Sequence, residues 1–435
     1  MEILSPEKTG KQIGHCPVVQ DLNAKVLVPG SKSLTQRAMV AAALCDGKSR
    51  IKGPLISEDT TLLKQALEKL GAGFEKDGRD YVVRGTGGKI NPGPIELYMG
   101  NNGTGIRFLT SVVALGHGTY KLSGTRRMGE RPIQPLLDAL SMWGARAISE
   151  LGTGCPPVEV VASGLSGGKT LISAKKSSQF LSSLLLVAPY TREPANITLD
   201  GPLVSRPYVD LTLSVMEQFG VTVEEKDLCF LVPQNGYRPC SYEVEGDASS
   251  ASYFFAAAAV TGGKVTVQNI PSKPLQGDAA FVDILQSMGC EVTRDEQGTT
   301  VTGPKDGGLR GIEINMSRWP DVVPTLAVVA AFATGQTIIT HVEHLRIKET
   351  DRIKAVATEL SKMGADVEEL EDGLVINGGR LLHGARIHTY DDHRIAMSFA
   401  VAGLRVPGVK IENPECVQKS FPEFWSVWDN MTKNT

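Results

Sequence analysis

Residues 29–37 read PGSKSLTQR, and the apolar run AMVAAAL follows directly. Pro29 and Gly30 end the segment before them, and Ser31 or Ser33 can cap a helix whose free N–H groups point forward. Two hydroxyls, Lys32 and Arg37 close to one helix start make an anion site. Taken alone, the stretch is also what an ordinary capped helix with two solvated cations looks like. It gains weight because the chain repeats the arrangement.

Helices apolar nearly all round are expected over residues 37–44, 106–115, 180–188, 252–260, 322–333 and 395–404. Each precedes a Gly- or Pro-marked turn and a short β segment. Amphipathic helices are expected between them, over residues 63–70, 136–143, 211–219, 280–288 and 353–363. These end at glycines such as Gly71, Gly144 and Gly220, which suit the position just past a helix C-terminus. Two further β segments follow each one. The markers recur at roughly 70–75 residues, the signature of an internal repeat of pattern βαβαββ.

A helix apolar on every side must be surrounded by protein, so six of them imply two bundles of three, each wrapped by sheets. The expectation is an α/β (α+β) chain of two domains with three units apiece. Five units are complete, and the sixth needs strands from the N-terminus. One domain is therefore discontinuous, residues 1–30 with 246–435, and residues 31–245 are inserted into it. The active site is expected in the cleft between them.

A chain of 435 residues at net charge −3 accommodates two such domains and does not suggest nucleic acid as a partner. Seven scattered cysteines without a CxxC pair fit a reducing compartment. MEILSPEKTGKQ lacks the pattern of a signal peptide, and apolar runs such as residues 253–260 are too short to span a bilayer. A cytoplasmic protein without a membrane partner is expected.

Unusual polar residues gather at the starts of the six apolar helices. They are Ser31, Lys32, Ser33 and Arg37; Asn101, Asn102, Gly103, Thr104 and Arg107; Ser177, Ser178 and Gln179; Asp247, Ser249 and Ser250; Asp321; and Asp391, Asp392, His393 and Arg394. Equivalent positions in equivalent units lie at equivalent ends, so facing domains would bring six helix N-termini to one cleft. Arg131 and Lys419 add cations. Lys348 and Arg352, at i and i+4 with Glu349 beside them, are expected on one helix face. The set implies one or two strongly anionic small ligands.

Other chemistries lack their motifs. Gly167-Gly168-Lys169-Thr170 looks like the tail of a P-loop, but Ser163 stands where the leading glycine belongs. HExxH, GxSxG and a dinucleotide fingerprint are absent, and the His and Cys residues lack metal-ligand spacing. No metal and no cofactor are expected. Cys416 is expected to be structural rather than nucleophilic.

At these residues the chain strongly resembles the 5-enolpyruvylshikimate-3-phosphate (EPSP) synthases of the enolpyruvyl transferase family. The match runs almost end to end through PGSKSLTQR, NNGTGIR, GERPI, SSQFLSSLL, SRPY, VEGDASSASYF, RIKETDR, DDHRIAM and CVQKSFP. The resemblance implies an inside-out, barrel-like α/β fold of six βαβαββ units that closes on its substrates. It implies transfer of the enolpyruvyl group of phosphoenolpyruvate to the 5-hydroxyl of shikimate 3-phosphate, with release of phosphate, on the shikimate pathway to chorismate and the aromatic amino acids. A monomer is expected.

By the same resemblance, shikimate 3-phosphate would touch Lys32, Ser33, Arg37, Ser177, Ser178 and Gln179, with Ser205, Tyr208, Asp321, His344 and Lys348. Phosphoenolpyruvate would be held by Lys32, Gly103, Arg131, Gln179, Arg352, Arg394 and Lys419. Asp321 would accept the hydroxyl proton, and Glu349 in its acid form or Lys32 would deliver a proton to the methylene carbon. Glyphosate would compete with phosphoenolpyruvate at Gly103, where the missing Cβ lets a small anion approach the backbone.

Two departures stand out. His344 replaces the Asn of many members, and NNGTGIRF replaces NAGTAMRP. The sister transferase acting on UDP-N-acetylglucosamine carries Asn after its early lysine and a loop cysteine. Here Ser33 follows Lys32, and no cysteine lies between Leu109 and Arg131. A non-catalytic anion-binding protein on the same fold would be expected to lose Lys32, Asp321 or Glu349, and all three are present.

Overall fold

The computed structural model describes residues 13–15, 18–19, 22–305 and 308–433. The N-terminal segment expected to lack a signal peptide lies outside the described residues. The six apolar helices are Lys32–Leu44, Gly103–Ala114, Gln179–Val187, Ala248–Thr261, Val323–Ala331 and His393–Gly403. Their local causes are plain. Ser31, Asn102, Asp247 and Asp392 cap four of them by accepting a backbone N–H of the first turn. Nearly every residue of these helices is buried, polar ones included. The amphipathic helices are Glu58–Lys69, Gln134–Met142, Arg206–Gln218, Phe281–Ser287 and Arg352–Lys362.

Buried apolar side chains fall into two clusters. One draws on residues 34–244, and the other on residues 19–28 and 248–431. Around them stand five four-stranded sheets and one of three strands. Helices inside and sheets outside is the inside-out arrangement expected. The sheets remain separate, however, and no barrel closes among the described residues. Each four-stranded sheet places the strand after the apolar helix parallel to one neighbour and antiparallel to the other, as Tyr120 and Lys121 show between Ile95–Tyr98 and Val158–Ser163.

The N-terminal strands complete two sheets rather than one. Ile13–His15 pairs antiparallel with Lys410–Glu412 in the three-stranded sheet. Asn23–Val26 runs parallel to Lys264–Val267, and Ser241–Glu243 runs parallel to Lys48–Lys52. The strand before each of two apolar helices is thus exchanged between the lobes. The chain crosses at an antiparallel bridge between Gly30 and Gly246. A Cβ on Gly30 would stand 2.2 Å from the Gly53 carbonyl oxygen, so only glycine fits there. Asp247 locks the crossing. One carboxylate oxygen caps its own helix at Ser250 N–H (2.7 Å), and the other accepts the Lys32 N–H of the neighbouring lobe at 2.9 Å.

One helix start differs from expectation. Residues 343–347 form a 3₁₀ turn, and the helix begins only at Arg352, because Asp351 caps it by accepting Lys354 N–H. Lys348 and Arg352 therefore do not share a helix face. Both still reach the cleft.

Candidate active site

A pocket lined by polar and charged side chains lies between the lobes. The first lobe contributes Lys32, Ser33, Gly103, Arg131, Ser177 and Ser178, with Gln179, Ser205 and Tyr208. The second contributes Asp321, His344, Lys348, Glu349, Arg352 and Arg394. The helix starts explain this gathering. At Ser178 and at residues 320–322 no side-chain cap forms, which leaves Ser178 and Asp321 to face the pocket. Lys32, Gly103 and Arg394 sit just inside capped starts, where backbone N–H groups favour anions.

Two residues expected in the site do not line the pocket. Arg37 lies behind it, donating to Thr212 Oγ1 (2.8 Å) and to the Ser33 and Tyr208 carbonyls at 2.9 Å each. Burial pulls its guanidinium down to about 10. The Phe108 ring, where many relatives have Pro, lies under that guanidinium at 5.3 Å. Lys419 lines the adjoining groove and reaches across the cleft, with Nζ 2.6 Å from Asp59 Oδ1 and 2.9 Å from the Asn101 carbonyl.

Asp59 is the participant the sequence reading missed. It lines the pocket, buried, and its second oxygen lies 3.3 Å from Lys32 Nζ. One carboxylate therefore holds a lysine from each lobe. An acidic residue in the first turn of a helix, after a Ser57–Thr60 capping box, reads as an ordinary dipole partner. Only the fold shows that it is buried between two cations. Arg107, also unassigned, donates to Gln179 Oε1 in a very short bond and to the Pro132 carbonyl at 2.9 Å. Gln179 Nε2 in turn donates to Thr104 Oγ1.

Electrostatics divide the site. Arg352, almost fully buried, donates to Asp392 Oδ2 (2.7 Å), Glu349 Oε2 (2.8 Å) and Asp321 Oδ1 (3.1 Å). Arg394 holds the other oxygen of Asp321 at 2.6 Å. Burial opposes the charge on Asp321, but Arg394, Arg352, Lys348 and Lys32 outweigh it and hold the carboxyl well below its usual range. Glu349 behaves alike: burial disfavours its charge, and Arg131, Arg352 and Lys419 overcome that. Burial draws Lys348 down to about 8. Against four carboxylates, Asp59, Asp321, Glu349 and Asp392, stand six cations: Lys32, Arg131, Lys348, Arg352, Arg394 and Lys419. The surplus is what an anionic ligand neutralises.

Both departures from the common pattern have structural consequences. His344 is buried on the pocket wall, and neither ring nitrogen has a partner. Burial and Lys348 push it down to about 3, so at neutral pH it presents an uncharged donor and acceptor. Asn102 and Gly105 belong together. The Asn102 amide donates to Gln36 Oε1 (2.9 Å) and to the Asp59 carbonyl (2.8 Å). A Cβ on Gly105 would stand 2.5 Å from that amide nitrogen. Burial pushes the half-buried Cys416 thiol up to about 12, which disfavours its thiolate at neutral pH.

Gly103 matters for a different reason than backbone approach alone. A Cβ there would lie 2.4 Å from an Arg131 guanidinium nitrogen. Arg131 is buried and anchored to the carbonyl and side chain of Asn101 at 2.9 and 3.0 Å. Gly103→Ala must therefore displace that cation. Losing one charge-assisted contact predicts a KM for the anion bound by Arg131 raised about tenfold, with kcat less affected. Steady-state kinetics check this, and an unchanged KM would contradict it.

The EPSP synthase (3-phosphoshikimate 1-carboxyvinyltransferase) family model matches residues 18–428. The chain belongs to the EPSP synthase family. It is 42% identical over 416 residues to a 3-phosphoshikimate 1-carboxyvinyltransferase of Syntrophobacter fumaroxidans, covering 95% of this chain and 98% of that one. It is 43% identical to the chloroplastic enzyme of Arabidopsis thaliana, covering 100% of this chain and 88% of the relative. Among solved structures, EPSP synthase from Acinetobacter baumannii is similar with TM-score 0.80 and 29% identity, over 97% of this chain and 98% of that one. The enolpyruvyl transferase NikO from Streptomyces tendae shares the fold, with TM-score 0.75 at 19% identity over 96% of each chain.

Proposed function

We infer that the chain is a transferase, a 3-phosphoshikimate 1-carboxyvinyltransferase, acting on shikimate 3-phosphate and phosphoenolpyruvate in the cleft. The observation that carries this reading is the pocket itself. The site sets those six cations against four carboxylates, and one of these, Asp321, is held ionised by two arginines. Two polyanions side by side need that surplus, and a hydroxyl nucleophile needs that base.

In this reading Ser177, Ser178, Ser205, Tyr208 and His344 hold shikimate 3-phosphate, with Lys348 and Gln179. Arg131, Arg352, Arg394 and Lys419 hold phosphoenolpyruvate beside Gly103. Lys32 and Ser33 sit where the two ligands meet. Arg37 acts by fixing the carbonyls of Ser33 and Tyr208. The 5-hydroxyl oxygen bonds to C2 of phosphoenolpyruvate while Asp321 takes its proton. A proton from Glu349 or Lys32 goes to C3 and makes it a methyl group. The surrounding cations hold Glu349 well below its usual range, and entry of two polyanions raises its proton affinity. The resulting ketal phosphate collapses as the C2–O bond to phosphate breaks, and C3 gives up a proton to form the enol ether.

This route has a chemical signature. In D2O the methyl stage exchanges, so deuterium is expected in the methylene group of the product. Mass spectrometry reads it, and a product with wholly unlabelled methylene would contradict addition followed by elimination.

Residues 31–245 and the remainder act as two domains that close on the ligands. Small-angle scattering is expected to show compaction on saturation with shikimate 3-phosphate, and an unchanged radius of gyration would count against closure. Both lobes of one chain line the pocket, so this reading needs no second copy to complete it. The described cysteines are free, in keeping with a cytoplasmic site. No described helix is long and apolar enough to cross a membrane. Glyphosate, longer than phosphoenolpyruvate, should lose more than the substrate does when Arg131 is displaced by Gly103→Ala.

A further inference from the structure

Asp278 stands behind the pocket wall, in the turn Gly277–Ala280, buried. Its Oδ2 accepts the Tyr208 hydroxyl at 3.0 Å and the Ser249 hydroxyl in a very short bond. Among the described residues its Oδ1 is buried without a partner, and no cation bonds to either oxygen in the way that Arg352 and Arg394 bond to Asp321. The Tyr208 oxygen also lies 3.1 Å from Asp321 Oδ2. One O–H therefore stands between two carboxylates.

The groups facing Asp278 come from several elements. Tyr208 is on Arg206–Gln218, Ser249 on Ala248–Thr261, Asp321 on Pro320–Val322 and Arg394 on His393–Gly403. Lys32 and Asp247 line the same small cavity. Tyr208 keeps its own proton, because burial and the two carboxylates hold the phenol well above its usual value.

We propose that Asp278 is a positioning residue whose ionisation decides which carboxylate receives the Tyr208 hydroxyl, and thereby sets the basicity of Asp321. When Asp278 is neutral, the phenol donates to charged Asp321 and stabilises its ionised form, which makes it a poorer proton acceptor. When Asp278 loses its proton to solvent, the phenol turns to Asp278. Asp321 Oδ2 then loses a donor and becomes the stronger base. Burial and the Asp321 charge push the Asp278 carboxyl up to about 6, with Ser249, Arg394 and Tyr208 pulling it back. The switch therefore falls inside the working range of such an enzyme. The inference rests on the reading of Asp321 as acceptor of the hydroxyl proton.

The test is kcat against pH for the full chain, with shikimate 3-phosphate and phosphoenolpyruvate saturating. Wild type is expected to lose activity on the acid side; the Asp278 carboxyl sits near 6 without ligands, and their negative charge moves the midpoint higher. Asp278→Asn cannot ionise and keeps the phenol on Asp321, so it should lack that acid limb and level off about tenfold below the wild-type plateau. Ser249→Ala keeps the carboxylate but removes a donor to it, so its limb should move to higher pH. An acid limb unchanged in Asp278→Asn overturns the proposal. If that variant folds poorly, a limb unchanged in Ser249→Ala overturns it. In either case an active wild type leaves the role of Asp321 standing. A wild type inactive at every pH takes both readings down.

Discussion

Lys32→Ala is expected to lower turnover by roughly 10²–10³-fold at saturating substrates, the cost of removing one preorganised cation from developing negative charge. Stability should scarcely change. Lys32 shares Asp59 with Lys419, and the tighter of the two contacts, 2.6 against 3.3 Å, is the one that remains. Asp59 is therefore not orphaned, and the shift in unfolding free energy should stay within about 0.5 kcal/mol. Steady-state kinetics beside urea denaturation separate the two quantities. A variant with near-wild-type kcat would remove Lys32 from the chemistry.

Arg352→Leu should damage both at once. Arg352 is 2% exposed and bonds to Asp321, Glu349 and Asp392 together. Asp392 is fully buried, and leucine would leave it without its charge partner while it still caps its helix. Breaking a buried pair by removing one member costs about 3–5 kcal/mol. Activity should vanish as well, because the same guanidinium keeps Asp321 ionised and belongs to the proposed phosphoenolpyruvate contacts. Arg352→Lys restores the charge but not the three-way geometry, so it should recover part of the stability and little of the turnover. Denaturation midpoints for both variants check this. Wild-type stability in Arg352→Leu would show that the three carboxylates do not depend on that cation.

The contrast between these residues marks what the sequence could and could not reveal. The six apolar helices and the polar clusters at their starts were legible, because a helix without a polar face and a recurring cap leave a pattern in one dimension. Gathering five of those starts at one pocket followed from equivalence of the units, while the start of Ala248–Thr261 lines a smaller cavity beside it. The exchange of Asn23–Val26 and Ser241–Glu243 between lobes was not legible. Parallel pairing joins segments with no sequence neighbourhood, and short alternating strands suit either partner. The run RIKETDR reads as one amphipathic helix start, yet the Asp351 cap delays the helix to Arg352 and leaves Lys348 in an extended conformation. Asp59 and Asp278 escaped for a related reason. An acid near a helix start is commonplace, and only burial beside lysines or beside a second carboxylate gives it work. Gly103 was recognised as a close approach, but the atoms that crowd its missing Cβ belong to Arg131, close to thirty residues away in the chain.

The central claim is that this cleft joins two anions by adding a hydroxyl to an enol phosphate and expelling phosphate. Phosphate release measured with both substrates, and with each alone, tests it most directly. Release is predicted only when shikimate 3-phosphate and phosphoenolpyruvate are both present, in equal amount to the enolpyruvyl ether formed, and lost in Asp321→Asn. UDP-N-acetylglucosamine in place of shikimate 3-phosphate should give none. Phosphate released from phosphoenolpyruvate alone, or no release with both substrates present, would contradict the account.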